Sequence, residues 1–170
     1  LRDTVQRPLG AQPPKGPSGA GEEIEWTVLA FLIRASRVEG TRYPWEEYLL
    51  WSREHGFRWL MQSNGHWTFL TPIPAGDCLF GMRVAKHGGN TYKQYQSVMA
   101  TTDWVVGECY WEVNAGEQAF AQEFIGPPLS INVDQTESRP PGATGAKSEA
   151  TVTLGEMLTR DEVAKAFGIK

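Results

Sequence analysis

The sequence predicts a mainly β fold: an antiparallel sandwich or open barrel of short strands with a short C-terminal helix. Three observations carry that expectation. Stretches rich in β-branched and aromatic residues recur about every 8–15 residues, divided by Gly, Pro and Asn. An Asn64-Gly65 pair sits between two apolar runs in the manner of a hairpin turn. The one clear helix-start signal lies near the end of the chain, at Thr159.

Taken in order, residues 1–23 are rich in Pro, Gly, Ala and Ser and read as a flexible arm, leaving 24–170 as a single mostly-β domain. Ile24–Arg37 has no polar face, as in a strand buried on both sides. Tyr43–Arg53 carries enough aromatic residues to favour a strand despite Pro44. Phe57–Gln62 and Trp67–Thr71 flank the Asn-Gly turn. Pairing outward from a type I′ turn sets Met61 opposite Thr68, Leu60 opposite Phe69 and Trp59 opposite Leu70. One face then carries Phe57, Trp59, Met61 and Leu70, and the other Leu60, Phe69 and Trp67. Both are apolar, so the hairpin belongs inside a layered structure.

A loop through Pro72, Pro74, Gly76 and Gly88-Gly89-Asn90 precedes a strand over Tyr92–Asp103. In Trp104–Val113 an alternation sets Val105, Cys109, Trp111 and Val113 toward a core, with Val106, Glu108, Tyr110 and Glu112 on the opposite face. Ala119–Ile125 and Leu129–Val133 read as strands around Gly126-Pro127-Pro128. Residues 135–147 read as loop, and Ser148–Leu154 as a last strand. Thr159 and Glu162 form a capping box for a helix that Gly168 stops.

The chemistry that the composition allows is narrow. With 170 residues, a net charge of −4 and a pI near 5.4, the chain can bury a core unaided and lacks the basic surface that nucleic acid requires. Its apolar runs fall far short of the roughly 20 residues of a spanning helix, so this segment is not expected to insert into a membrane. Cys78 and Cys109 lack metal-ligand spacing and read as reduced thiols of a cytoplasmic protein. The histidines His55, His66 and His87 sit beside Gly in turns, so neither metal nor cofactor is expected. Position 1 is Leu, which suggests a piece of a longer chain.

Two groups of residues stand out. Glu47 lies beside Trp45 and Tyr48, and Glu108 shares a face with Tyr110. A carboxylate among aromatic rings can serve as a general acid or base, but it more often accepts hydrogen bonds from residues such as Arg42, Arg53 or Arg58. The second group is the seven tryptophans, six of them between positions 45 and 111. Most belong in a core, with one or two left for an interface.

Several segments taken together resemble a known family: Tyr43-Pro44-Trp45-Glu46-Glu47-Tyr48-Leu49-Leu50, Gly56-Phe57-Arg58-Trp59-Leu60 and Gly65-His66-Trp67, then Val106-Gly107-Glu108-Cys109-Tyr110-Trp111, Pro127-Pro128 and Leu154-Gly155-Glu156. Over roughly residues 24–168 the chain resembles the bacterial family catalogued as domain of unknown function 4178. It departs from the pattern at Cys109, where an aromatic is expected, and at Val152-Thr153, where Trp-Ser is usual. The resemblance implies an accessory or interaction module linked to membrane-stress or polyamine-related systems, sometimes tethered through membrane segments outside the domain. No catalytic residue comes with it. The leading expectation is therefore a non-catalytic binding or scaffold module that docks a protein partner or a second copy of itself. Its candidate binding residues are Trp45, Glu47, Tyr48, His66, Glu108 and Tyr110. The alternative is a small-ligand or hydrolytic pocket built from Glu47, Glu108, Tyr110 and His66.

Overall fold

A computed structural model describes residues 4–6, 24–138 and 147–168. Most of the expected arm, and positions 139–146 of the expected 135–147 loop, lie outside the described residues. In chain order the elements are β1 (Thr4–Gln6), β2 (Glu25–Val38), β3 (Thr41–Ser52), β4 (Gly56–Ser63), β5 (His66–Ile73), a 3-10 turn at Ala75–Asp77, β6 (Leu79–Phe80), β7 (Val84–His87), β8 (Asn90–Gly107), β9 (Gln118–Gly126), β10 (Leu129–Ser138), β11 (Lys147–Leu158) and the helix α1 (Arg160–Ala166). The chain is mostly β with a short C-terminal helix, as expected. Within the expected arm, Thr4–Gln6 is a strand on β2.

All strand pairs are antiparallel, and they run in the order β2-β3-β4-β5-β11-β10-β9-β8. The pairing of β2 with β8, from Ala30↔Gly107 to Ser36↔Ala100, joins the two ends into a closed eight-stranded barrel. Closure where a sandwich or open barrel was expected follows from the bulges. The register slips between Val28 and Ala30 against β3, between Ile33 and Arg34 against β8, and between Gln94 and Gln96 against β9. Each slip adds bend and twist to a long strand, and these single-residue insertions leave no mark in an apolar pattern.

Residues paired across strands share a face, so the register sorts the wall into inside and outside. The outside is identified by α1, because an eight-stranded barrel is too narrow to hold a helix. Val163 and Ala166 of α1 pack with Ile24, Trp26, Leu50, Leu60 and Phe69, which makes that face external. A second external cluster, including Tyr92, Phe124, Ile131 and Val152, is covered by Cys78 and Ala85 from the turn and hairpin between β5 and β8. The third cluster, Ala30, Leu32, Leu49, Trp59 and Leu70, fills part of the lumen.

The predicted β4–β5 hairpin has the register derived above, with Met61↔Thr68, Leu60↔Phe69 and Trp59↔Leu70. Asn64 and Gly65 have φ of 50° and 79°, the positive values a type I′ turn needs. Among the described residues, no atom beyond Gly65 and its two chain neighbours lies within 4 Å of where a Cβ on Gly65 would sit. Gly65→Val therefore costs conformational strain alone, expected at more than about 1 kcal/mol because a β-branched residue resists positive φ. A shift in the urea midpoint at constant slope checks it, and an unchanged midpoint would refute it.

Other sequence expectations need correction. Tyr92–Asp103 and the start of Trp104–Val113 are one strand, β8, while Glu108–Val113 is loop. Gly107, at φ 98°, turns the chain out of the sheet, so the alternation stops there and Trp111 is exposed rather than core. The expected loop around Gly88-Gly89 is the tight turn of a β7–β8 hairpin pairing His87 with Asn90. β10 runs on through Ser138, into the segment read as loop. At the C-terminus, the Thr159 hydroxyl accepts from the Glu162 backbone N–H at 3.2 Å while the Glu162 carboxylate accepts from the Thr159 N–H at 2.7 Å. These bonds complete the capping box, and the Thr159 backbone N–H and hydroxyl, both donating to the Glu162 carboxylate, hold that carboxyl below its ordinary range.

Candidate functional site

Two features separate the candidate residues: an ion cluster inside the barrel and an aromatic cluster across one end. The ion cluster begins with Arg34, which interrupts the apolar run of β2 on an inward position. Its Nη1 donates to Glu47 Oε1 and to Asp134 Oδ2, both at 3.1 Å, and its Nη2 to Asp134 Oδ1 at 3.3 Å. The Trp45 indole N–H donates to the same Glu47 oxygen at 2.6 Å, and the guanidinium lies 5.6 Å from the centre of the Trp45 ring. Burial opposes the charge on Arg34. The carboxylates of Glu47 and Asp134 outweigh it and hold the group above its ordinary range. Further along the lumen, Asn132 donates to Ser130, and Gln96 donates to Glu123 at 3.0 Å. Burial pushes the Glu123 carboxyl up, and the Gln96 hydrogen bond only partly offsets it.

This interior is crowded as well as polar. A Cβ on Gly155 would strike the Ser130 hydroxyl and approach Thr68 and Asn132 to 2.9 and 3.0 Å, so only glycine fits there. The cluster is a brace across the lumen. Glu47 is engaged by Arg34 and Trp45 and is not a lone carboxylate.

The end of the barrel beyond Gly107 differs. A Cβ at Gly107 would collide with the Leu29 carbonyl oxygen, so glycine lets the chain leave β8 against β2, where the Glu108 N–H bonds Leu29 O at 3.0 Å. The loop returns to the sheet through Gly116 N–H on Thr102 O and Thr102 N–H on Glu117 O, at 2.7 and 2.9 Å. Within it, Asn114 donates its side-chain amide to Glu112 and its backbone N–H to Glu117. Cys109 and Val113 pack down onto the apolar lumen cluster.

The other loop side chains face out. Tyr110 stacks on Phe57 with ring centres 4.3 Å apart and meets Trp111 edge-on at 4.2 Å, while Trp111 rests on Trp59 at 5.5 Å. Tyr110 is nonetheless 52% exposed and Trp111 40%. Burial of the rest of the ring pushes the Tyr110 phenol up, so it is a protonated hydrogen-bond donor at neutral pH. Trp51, opposite Phe57 in the register, is exposed as well. An open depression lies under the loop, lined by Val105, Cys109, Trp111 and Val113 together with Glu108 and Glu112.

Of the sequence candidates, Trp45 and Glu47 meet in the lumen, and Glu108 and Tyr110 share the end loop. Tyr48 is on the outer wall, where its hydroxyl donates to Glu46 at 2.9 Å and its ring lies 4.8 Å from Phe31. Burial is the main reason its phenol is held above the ordinary range. His66 is exposed at the hairpin turn opposite Ser63. Among the described residues no hydrogen bond joins His66, Glu108 or Tyr110 to Glu47. Sequence reasoning missed Arg34, Asp134 and Phe57. An arginine at an inward position of an apolar strand was a readable signal, whereas Asp134, 100 positions away, was not.

Among the described residues no group of three or more His, Cys, Asp and Glu could hold a metal ion, and no helix is long and apolar enough to cross a membrane. Neither a curated protein nor a solved structure matches the chain. A family model does match, over residues 16–157 and therefore over most of its length, and the chain belongs to that family, Domain of unknown function (DUF4178).

Proposed function

We propose that the chain is a non-catalytic binding module whose aromatic barrel end docks a protein partner. The observation that carries this reading is the Tyr110–Trp111 pair. Two large aromatic residues are held half-exposed on a loop pinned at both ends, so little ordering is left to be paid on association. The free thiols of Cys78 and Cys109 fit a cytoplasmic setting. The accessory role in bacterial membrane-stress or polyamine-related systems, implied by the resemblance, belongs to the same proposal. The small-ligand or hydrolytic alternative has less support, because its four residues are dispersed and Glu47 is already bonded.

Tyr110→Ala and Trp111→Ala test the proposal. Each is expected to lower stability by only about 1–3 kcal/mol, because about half of each ring is buried against Phe57 and Trp59, leaving the barrel folded, yet to weaken capture of a partner from native lysate at least tenfold. Capture by both variants at the wild-type level would refute the site. If light scattering shows instead that the chain self-associates, and that both substitutions abolish this, the partner is a second copy.

A further inference from the structure

Cations and carboxylates are segregated along β8 and the segments beside it. Residues 78–102 carry Arg83, Lys86 and Lys93 and no acidic residue, while residues 104–138 carry six carboxylates and no Lys or Arg. Each stretch presents an exposed apolar feature of its own. In the basic one it is the turn that joins β6 to β7. Gly81 N–H donates to Val84 O at 2.8 Å and Gln94 N–H to Arg83 O at 2.9 Å, so Met82 and Arg83 form an apex held from both sides. Met82 is 95% exposed and Leu79 70%, and Leu79 pairs across the hairpin with the exposed Lys86.

In the acidic stretch the feature is the open depression beyond Gly107, about 460 Å³ in volume. Val105, Cys109, Trp111 and Val113 make it apolar, and the exposed Glu108 and Glu112 give it charge. Among the described residues, none of Arg83, Lys86, Glu108 and Glu112 is in an ion pair. The turn is therefore convex, apolar and basic, and the depression concave, apolar and acidic. One chain cannot bring them together. The turn adjoins Gln94 and the depression begins at Gly107, positions on the order of 40 Å apart along β8 at about 3.3 Å per residue.

We infer that the Met82 turn of one copy seats in the depression beyond Gly107 of a second copy. This assignment rests on the docking reading of that barrel end, whose occupant it names. Met82 enters the apolar part beside Trp111 and Val113, while Arg83 and Lys86 meet Glu108 and Glu112 at the rim. Opposite charge selects and orients the pair, and two surfaces already pinned by backbone hydrogen bonds lose little freedom on docking. Because the contact joins two different surfaces, it repeats head to tail from copy to copy or closes into a ring.

Sedimentation velocity of the full chain at rising concentration tests this. The wild type is expected to associate, and to do so less as salt is added. Met82→Asp, and Arg83→Glu with Lys86→Glu, change an exposed turn. Each should leave the melting temperature unchanged and weaken association at least about tenfold. Glu108→Arg with Glu112→Arg should weaken it equally from the other side. Mixing the two charge-reversed proteins sets opposite charges at both contacts again, so the mixture should associate where neither does alone. A wild type that stays monomeric overturns the inference, as does association that survives Met82→Asp or a mixture no better than its parts. The docking reading fails separately. A monomer that still captures a lysate protein through Tyr110 and Trp111 leaves that reading standing, whereas capture and self-association that both ignore Tyr110→Ala and Trp111→Ala remove it.

Discussion

Arg34→Ala is expected to destabilise the barrel by about 3–5 kcal/mol, the range for breaking a buried ion pair from one side. The reason is what remains behind. Arg34 and Glu47 side chains are almost withdrawn from water, and without the guanidinium the Glu47 carboxylate keeps, among the described residues, only the Trp45 indole as a partner. Asp134 is different, because its side chain retains 42% exposure and water can take over part of the solvation. Glu47→Gln should therefore cost more than Asp134→Asn, the latter being about 1 kcal/mol. An apolar triple replacement, Arg34→Met with Glu47→Leu and Asp134→Leu, should recover most of the loss, since the penalty comes from orphaned charge and not from missing volume. Because Arg34 is held above its ordinary range, its contribution stays complete up to the alkaline region where an unfolded arginine would titrate, and no fading is expected near neutrality. Urea midpoints of the four variants decide the matter. A loss below about 1 kcal/mol for Arg34→Ala would mean that water entering beside Asp134 screens the cluster, and the brace would be a surface feature in energetic terms.

The same residues show where sequence reading succeeds and where it stops. The β4–β5 hairpin was legible down to its register, because Asn64-Gly65 sets the turn and a two-residue turn leaves one pairing. The capping box at Thr159 was legible for the same reason: both partners lie within one turn of chain. Barrel closure was not, since it depends on residues such as Leu29, Tyr95 and Asp103 that slip the register without disturbing composition. Trp45 and Glu47 were correctly paired as neighbours, yet their role turned on Arg34 and Asp134, which only the closed wall brings together. Tyr110 and Trp111 were read as opposite faces of a strand. Instead both face outward, because Gly107 ends the alternation that separated them. Local chemistry was readable wherever it was decided within a few residues, whereas the partners of Glu47 come from strands across the barrel.

Gly107→Ala is the second large effect, expected at about 2–6 kcal/mol. Two costs add at this position. A φ of 98° strains any residue with a Cβ, by about 1–3 kcal/mol, and the added methyl meets the Leu29 carbonyl and the Ala30 backbone with no flexible side chain to yield, which costs a similar amount. Relief requires the base of the loop to move off β2, which breaks the Glu108–Leu29 hydrogen bond just where β2 and β8 close the barrel. Gly116 is the internal control: it has φ of 89° at the other end of the same loop and nothing within 4 Å of its Cβ direction. Gly116→Ala thus carries strain alone, about 1 kcal/mol in an open turn that can adjust. The difference between the two variants isolates the collision. The functional consequence should follow the same division. Moving the loop base separates Tyr110 from Phe57 and Trp111 from Trp59, so near-ultraviolet circular dichroism should lose intensity in Gly107→Ala and keep it in Gly116→Ala. Partner capture should fall in the first and persist in the second. If Gly107→Ala proves no worse than Gly116→Ala in stability and in aromatic signal, the contact with Leu29 does not position the Tyr110–Trp111 pair, and the rigidity on which the proposed docking surface depends is lost.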